Sequence, residues 1–223
     1  MSVNKNIVFD VVGTLASYDK LYEAVETTLG QRLREQGIKV PMFGYLWIEV
    51  AEREYAIVYR VLWKCGIEEP RKFINEKEIE AIVQGYADME MRPGAAECIS
   101  KLRNAGFTVW GLTMDDYKRV RGYFERSGID MPTENLASCD STQIGKPDPQ
   151  AYKPLLDQLS SEGNKPWFAA AHQWDVAAAR RTGFRGAYCT VWEGEALMDV
   201  FGDMDVVAET LPEMADRVIK MAR

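Results

Sequence analysis

Residues 6–15 read NIVFDVVGTL, and this stretch decides how the rest of the chain is interpreted. The run NIVFD, residues 6–10, is apolar and rich in β-formers up to its last residue, Asp10. A short apolar run followed by a turn signal, here Gly13, is typical of a buried strand and a tight turn. A carboxylate at the end of a buried strand is therefore the first candidate functional group.

The segment that follows, from about residue 17 to residue 90, has a helical pattern without a convincing strand. Apolar residues recur there at four-residue spacing, namely Leu21, Val25, Leu29 and Leu33. Aromatic residues come next at near-helical spacing, namely Tyr45, Trp47, Tyr55, Tyr59 and Trp63. Asn75 is a candidate N-cap for a further helix that runs to Tyr86. The segment is predicted to be an all-helical insertion.

From Arg92 onward the pattern changes to strands that alternate with helices. The predicted strands are residues 107–113, 138–142, 167–171 and 187–191. The predicted helices are residues 95–102, 116–127, 149–159, 175–182 and the tail from Leu211. Such alternation implies βαβ units and a parallel sheet.

The predicted fold class is therefore α/β, with a Rossmann-like doubly wound parallel sheet and an inserted all-helical cap subdomain. The catalytic core would consist of residues 1–16 and 91–223, and the cap of residues 17–90. The chain has 223 residues, which is enough for one core domain with a small cap.

Composition excludes some partners. The formal net charge is -7, from 27 basic and 34 acidic residues that are interspersed, whereas nucleic-acid or anionic-membrane surfaces usually show a basic excess. The N-terminal apolar run is too short for a signal peptide or a membrane span. Four widely spaced cysteines form no CxxC pair, which favours reduced thiols. We expect a cytoplasmic protein without nucleic-acid or membrane partners.

Parallel sheets bind ligands at the carboxyl ends of their strands. Six side chains are expected there, namely Asp10, Thr14, Thr113, Lys146, His172 and Asp175. A positioned aspartate can act as a nucleophile, and Lys146 would keep Asp10 ionised. Thr113 and nearby backbone N–H groups could bind an anionic group of a substrate. His172, the only histidine, could activate water or transfer a proton.

Structural interpretations of the same residues stay open at this point. His172 would also fit a loop histidine bound to backbone, and Thr113 would fit strand-end packing. Asp175 could cap the helix that it opens. Asp115 and Asp116 fit helix capping better than catalysis.

Four segments in this order resemble the motifs of the haloacid dehalogenase superfamily: FDVVGTL, the strand ending in Thr113, Lys146 in GKPDP, and Asp175 in WDVAAARRTGF. Tyr152, six residues after Lys146, and the Trp174-Asp175 pair make the L-2-haloacid dehalogenase branch the closest resemblance. In this superfamily the first aspartate attacks carbon or phosphorus, and water hydrolyses the resulting ester or acyl phosphate. The resemblance gives Asp10 this role.

The resemblance also implies a substrate site and a cofactor requirement. The substrate would be a small, anionic molecule, and the dehalogenase branch requires no cofactor. The implied substrate-binding residues are Val11, Val12, Thr14, Thr113, Met114 and Tyr152.

The chain departs from both standard sites of the superfamily. Phosphatases place a second aspartate where this chain has Val12, and their fourth motif begins Gly-Asp where this chain has Ala170-Ala171. Dehalogenases place an aromatic residue at Val12 and a Ser-Asn pair at Thr113-Met114. Their Ser-Ser-Asn run is replaced by Ala170-Ala171-His172.

Three hypotheses follow. The first is a 2-haloacid dehalogenase-like hydrolase with Asp10, Lys146, His172 and Asp175 as catalytic residues. The second is a magnesium-dependent phosphatase with an altered acid, in which Asp10 and Asp175 would hold Mg²⁺. The third is a repurposed lyase, isomerase or ligand-binding protein on the same scaffold. The cap aromatics would offer a face for a homodimer.

Overall fold

The computed structural model describes residues 5–54, 58–161 and 164–222. The chain divides into two compact units, one formed by Met1–Ser17 with Met91–Arg223 and the other by Tyr18–Glu90. Ser17 falls with the first unit rather than with the helical segment. The assignment of these units as a catalytic core and a cap stays a prediction.

The first unit contains a six-stranded sheet in which every pair of neighbours is parallel. Its strands are β1 (Lys5–Asp10), β4 (Phe107–Thr113), β5 (Leu136–Ser138), β6 (Trp167–Ala170), β7 (Arg185–Cys189) and β8 (Val206–Ala208). They lie in the order β5-β4-β1-β6-β7-β8, which is 3-2-1-4-5-6 when the strands of this sheet are numbered along the chain. This is the doubly wound order of Rossmann-like sheets, and it confirms the predicted fold class.

Helices connect these strands, as the alternating pattern predicts. They are α6 (Ala95–Asn104), α7 (Tyr117–Arg126), α8 (Pro149–Leu159), α9 (Gln173–Thr182), α10 (Met198–Phe201) and α11 (Leu211–Met221), with 3₁₀ turns at Thr133–Asn135 and Cys139–Ser141. Two short strands, β2 (Ala16–Ser17) and β3 (Glu90–Met91), lie where the chain passes from one unit to the other.

The second unit is helical over its described residues. Its helices are α1 (Asp19–Glu35), α2 (Val40–Glu54), α3 (Val58–Lys64), α4 (Pro70–Phe73) and α5 (Glu76–Ala87). The predicted cap of α5 is confirmed, because Asn75 and Glu78 form a reciprocal capping box. The four-residue leucine and valine pattern lies on the buried face of α1. Tyr55, one of the aromatics in the sequence pattern, lies outside the described residues.

Several elements differ from the predictions in their bounds, and one strand was missed. The predicted strand 138–142 is wrong, because β5 ends at Ser138 and a 3₁₀ turn follows. The strand predicted at 187–191 begins two residues earlier, and α9 begins at Gln173 rather than Asp175. The short edge strand β8 was not predicted, because three residues carry too little periodicity to stand out.

The core of the first unit forms around the buried strands. Val8, Leu112, Phe168 and Tyr188 from four neighbouring strands belong to one cluster with apolar residues of α8 and α9. Strands buried on both faces read as continuous apolar runs, which is why NIVFD and WFAA are so apolar. Among the described residues, none of the helices has the length and hydropathy needed to cross a membrane.

Candidate active site

Asp10 lies at the carboxyl end of β1, where the strand order of the sheet reverses. Chain order runs one way through β4 and β5 and the other way through β6 and β7, so the ends of β1 and β6 border the crevice in which such sheets bind ligands. In the sheet register, Asp10 pairs with Leu112 of β4, and the preceding residue Phe9 pairs with Ala169 of β6. Strand pairing therefore places a carboxylate, 7% exposed, at the position expected for a site.

The two carboxylate oxygens of Asp10 accept hydrogen bonds from different donors. Lys146 Nζ donates to Oδ1 at 2.9 Å, and the Thr14 hydroxyl donates to Oδ2 at 2.6 Å. The Thr14 oxygen in turn accepts from the backbone N–H of Ala171 at 2.8 Å, which ties the loop after β1 to the end of β6. The carboxylate is thus fixed while it keeps its charge, as a positioned nucleophile requires.

Lys146 lies between two buried carboxylates. Its Nζ also donates to Asp175 Oδ2 at 2.8 Å, and the side chains of Lys146 and Asp175 are each 1% exposed. The Tyr152 hydroxyl donates to Asp175 Oδ1, and the Tyr152 ring packs edge-on against Phe168 with 5.4 Å between centroids. Buried charges persist only when they are paired and hydrogen-bonded, and this series of contacts meets that condition.

His172 approaches Asp10 from the start of α9. It occupies the N-cap position of this helix, and its Nδ1 lies 3.5 Å from Asp10 Oδ2. Its ring is surrounded by Trp174 and Trp192, with centroids 5.9 and 6.4 Å away. An imidazole at this distance from a carboxylate can exchange protons with groups bound there.

The buried charges change one another's ionisation. Burial raises the pKa of Asp10. The charge of Lys146 and the hydrogen bonds from His172 and Thr14 lower it by more than burial raises it, so the net pKa lies well below its ordinary value. Burial raises the pKa of Asp175, and the like charge of Asp10 adds to this effect. Burial lowers the pKa of Lys146, but both carboxylates together raise it above its ordinary value. Asp10 is therefore ionised at neutral pH.

The loop after Asp10 is held in place by Arg92. Its Nη2 donates to the Gly13 carbonyl at 2.8 Å and its Nε to the Thr14 carbonyl at 3.1 Å, while its backbone N–H donates to the Leu15 carbonyl at 2.7 Å. Gly13 has a φ of 81°, a left-handed conformation that glycine adopts without strain. In the sequence, Arg92 marks only the point where the pattern changes to alternating strands and helices. In the structure, its hydrogen bonds support the loop that carries Thr14.

Four residues with an implied substrate role lie at this edge of the sheet without entering the charged cluster. Val11 is fully buried and Val12 is 7% exposed, so contacts of Val11 with a substrate would come from its backbone. Thr113 is 1% exposed, and its hydroxyl oxygen accepts from the backbone N–H of Asp115 at 3.1 Å. Met114 is partly buried and packs against the core cluster.

The capping interpretation is confirmed for Asp116 and wrong for Asp175. Asp116 is the N-cap of α7, and its side chain accepts from the backbone N–H of Arg119 at 2.8 Å. Asp175 instead lies in the first turn of α9, and its oxygens bind side chains. Asp115 pairs with the Arg119 guanidinium, and burial raises the pKa of Asp115.

A second hydrogen-bond network fixes the loop that carries His172, and no pattern in the sequence indicates it. Glu193 accepts from the backbone N–H of Gln173 at 3.0 Å and from the Tyr188 hydroxyl at 2.9 Å. The Gln173 side-chain carbonyl accepts from the backbone N–H of Leu197 at 2.7 Å. A carboxylate at the N-terminus of α9 also interacts favourably with the helix dipole. Gln173 is 20 residues from Glu193 and 24 from Leu197, and no local pattern predicts pairs so far apart in the sequence.

The carboxylates of Asp10 and Asp175 are poorly placed to act as ligands of a magnesium ion. Mg²⁺ needs oxygen ligands in near-octahedral geometry, but all four carboxylate oxygens of Asp10 and Asp175 accept hydrogen bonds from Lys146, Thr14 and Tyr152. In the parts of the chain that the structure describes, no group of three or more His, Cys, Asp or Glu side chains is placed to hold a metal ion. We therefore assign no role to a metal ion at this site.

Comparison with known proteins identifies the family of the chain. Residues 5–183 match the family of haloacid dehalogenase-like hydrolases. The chain is 25% identical over 194 residues to (S)-2-haloacid dehalogenase 4A of Burkholderia cepacia, covering 79% of each chain. Its fold is similar to that of a dehalogenase in an intermediate complex, with a TM-score of 0.70, 20% identity and 96% coverage of each chain. It is also similar to that of the Xanthobacter autotrophicus L-2-haloacid dehalogenase with chloropropionic acid covalently bound, with a TM-score of 0.66, 19% identity and coverage of 98% and 99%. The chain thus belongs to the haloacid dehalogenase-like hydrolases, and it is a hydrolase of that type.

Proposed function

We propose that this hydrolase acts on a small carboxylate that bears a leaving group on its C2 carbon, with Asp10 as the nucleophile. The observation that carries the proposal is the state of Asp10: it is buried, ionised and held by Lys146 and Thr14, beside an apolar Val12. A fixed carboxylate with lowered pKa can attack carbon without a base to deprotonate it.

Val12 favours a leaving group that departs without a proton. Phosphate monoesters release an alkoxide, which a general acid normally protonates as the bond breaks. The valine side chain at position 12 cannot donate a proton, and it stands where phosphatases of this superfamily carry an aspartate. A halide departs as a stable anion, so displacement at carbon suits this site better than phosphoryl transfer.

In the first step a carboxylate oxygen of Asp10 forms a bond to C2, and the bond from C2 to the leaving group breaks. The leaving group departs with the bonding electron pair, and an ester of Asp10 remains. The Thr113 hydroxyl and the backbone N–H groups near Val12, Thr14 and Met114 would bind the substrate carboxylate, because N–H and O–H donors at strand ends suit anions. Lys146 holds the other carboxyl oxygen, Oδ1, and in the next step its ammonium group would stabilise the negative charge that develops on this oxygen.

In the second step water attacks the carbonyl carbon of the Asp10 ester. His172 is the proposed base, because its ring lies 3.5 Å from Asp10 and can accept the proton that the water loses. Asp175 holds Lys146 and Tyr152 in place, and its raised pKa makes it the second candidate base. The bond between the carbonyl carbon and the ester oxygen then breaks, and the 2-hydroxy acid leaves as its oxygen takes the proton back from His172. The Asp10 carboxyl group loses the remaining proton of the water to solvent, which regenerates the carboxylate, and the reaction requires no cofactor.

The proposal is tested by measuring chloride release from (S)-2-chloropropionate with chelator present. The expected result is chloride release in step with the formation of lactate, unchanged by added magnesium. Magnesium-dependent hydrolysis of p-nitrophenyl phosphate without chloride release would overturn the proposal in favour of the phosphatase alternative. Turnover of neither substrate class across a panel of haloacids and phosphate esters would instead favour a repurposed, non-hydrolytic site.

Three further properties stay predictions. They are the core and cap roles of the two units, a cytoplasmic location and a homodimer that uses cap aromatics. Nucleic-acid and membrane partners are not expected from an acidic chain.

A further inference from the structure

A cavity of about 560 Å³ opens at the amino ends of the strands, on the edge of the sheet opposite to Asp10. It lies where β1, β4, β6 and β7 begin and where α11 ends, and the proposed reaction does not use it. Its volume falls within the range of about 300 to 1,000 Å³ that is usual for small-molecule sites. The lining side chains that matter here are Lys5, Phe107, Lys165, Trp167, Arg185 and Met221.

The cavity concentrates positive charge in an acidic protein. Lys5, Lys165 and Arg185 line it, and no Asp or Glu is among its described lining residues. None of the three cations forms an ion pair within the described ranges, whereas many other basic side chains of the chain do. Clustered like charges repel one another unless a counter-charge is supplied, and a concave, positively charged site attracts anions.

Strand register brings these cations together. Trp167 pairs with Ile7 of β1 on one side and with Arg185 of β7 on the other. Lys5 and Lys165 each precede a member of the Ile7–Trp167 pair by two residues, and both line the cavity. Lys165 is exposed, and Lys5 and Arg185 are partly exposed, so all three can reach a ligand from solvent.

Aromatic rings hold two of the cations at the cavity wall. The Arg185 guanidinium lies over the Trp167 ring at 3.9 Å from its centroid, and Lys5 Nζ lies 5.7 Å from the centroid of Phe107. Cation–π contacts restrict a cation without neutralising it. A stacked guanidinium keeps its N–H edge available for bidentate contact with phosphate or carboxylate. The positive groups are therefore pre-positioned and still able to bind.

We propose that this cavity binds a small polyanion that carries two or more phosphate or carboxylate groups. One anionic group would contact the Arg185 edge and another the pair formed by Lys5 and Lys165. The buried rings of Phe107 and Trp167, 4% and 3% exposed, form the apolar floor beneath the ligand. The proposal does not depend on the reaction at Asp10, since the two edges share no side chain.

Isothermal titration calorimetry with inorganic pyrophosphate, free of magnesium and at low ionic strength, tests the proposal. The expected result is saturable binding to the full-length protein with one site per chain. Arg185→Gln and Lys165→Gln should each weaken binding about tenfold, because each removes one charge-assisted contact. Citrate titrated in parallel identifies the preferred group: tighter binding of pyrophosphate assigns phosphate, and tighter binding of citrate assigns carboxylate.

Lys153→Gln is the matched control, since Lys153 is exposed on α8 and pairs with Asp157 away from the cavity. It should bind pyrophosphate as the unaltered protein does. Absence of binding of both anions at millimolar concentration would overturn the proposal. Equal weakening by Lys153→Gln and Arg185→Gln would overturn it too, because this result indicates general charge attraction. Circular dichroism of each variant, and Lys5→Gln as a further variant, separate loss of binding from loss of folding.

Discussion

The two edges of the six-stranded sheet carry charge in opposite ways. At the carboxyl edge, Lys146 is buried with Asp10 and Asp175, and each charge is bound by fixed partners. At the amino edge, Lys165 and Arg185 remain accessible to solvent and pair with no carboxylate among the described residues. Burial demands partners, because an unpaired buried charge costs several kcal/mol, whereas an exposed charge is solvated by water. The carboxyl-edge charges therefore organise one another, and the amino-edge charges stay available to a ligand.

The largest expected effect of a substitution at either edge is that of Asp10→Asn on turnover. The amide cannot attack carbon as a carboxylate does, so chloride release should fall by about 10³-fold or more. The amide oxygen can still accept from Lys146 or Thr14, so the far-ultraviolet circular dichroism should be unchanged. Asp157→Asn, at an exposed position of α8, serves as the control and should keep full activity. Full activity of Asp10→Asn would remove Asp10 from the mechanism.

Lys146→Met tests whether the carboxyl-edge charges stabilise one another. This change leaves Asp10 and Asp175 buried together without their shared cation, so urea denaturation at pH 7 should show a loss of about 3–5 kcal/mol in the free energy of unfolding. Lys165→Met makes the same chemical change at the amino edge, where the expected change is within about 0.5 kcal/mol. Similar losses in both variants would contradict the contrast between the edges.

His172→Asn tests the second half of the proposed reaction. Loss of a general base typically slows the affected step about 10²-fold, so the ester of Asp10 should accumulate. Rapid-mixing experiments should show a burst of one chloride per active site, and the intact mass should rise by the mass of the substrate less hydrogen chloride. An unchanged steady-state rate without a burst would assign His172 a structural role.

The fold and part of the site could be predicted because they depend on local signals. The apolar run before Asp10, the glycine after it and the alternation of strands and helices place a carboxylate at a sheet edge. Lys146 and Asp175 follow from the order of the resembling motifs, and the structure brings both to Asp10. The closeness of His172 to Asp10 follows from its position after a core strand.

The parts that the sequence did not predict depend on contacts between distant residues. Arg92 supports the Thr14 loop from about 80 positions away, and Glu193 fixes the start of α9 through a backbone N–H. Such contacts leave no periodicity, because only the final packing defines them. The amino-edge cavity is similar, since Lys5, Lys165 and Arg185 come from distant parts of the chain and line one cavity only in the folded protein.

The acid stability of the protein should reflect the ionisation of Asp10. Its folded-state pKa is lowered, so its contribution to stability is complete above its unfolded pKa of about 3.9 and is lost as pH falls toward the folded pKa. Between pH 5 and pH 3 the free energy of unfolding should fall about 1 kcal/mol further in the unaltered protein than in Asp10→Asn. Asp175 has a raised pKa and contributes with the opposite sign, and this contribution is smaller in Asp10→Asn because the like charge of Asp10 is part of its cause. Parallel urea denaturation curves at several pH values measure the difference, and equal slopes would contradict it.

The smallest expected effect is that of Arg185→Gln on the reaction. Arg185 begins β7 at the amino edge, and its contact with Trp167 is worth about 0.5–1 kcal/mol because the guanidinium is partly exposed. The rate of chloride release without added polyanion should therefore stay within about twofold of that of the unaltered protein. The free energy of unfolding should fall by no more than the Arg185–Trp167 contact contributes. A large loss of kcat with normal folding would mean that the two edges are energetically coupled through the sheet. In that case the affinity for substrate should be measured with and without polyanion, and the affinity for polyanion with and without substrate, since a coupling between two sites changes both affinities by the same factor.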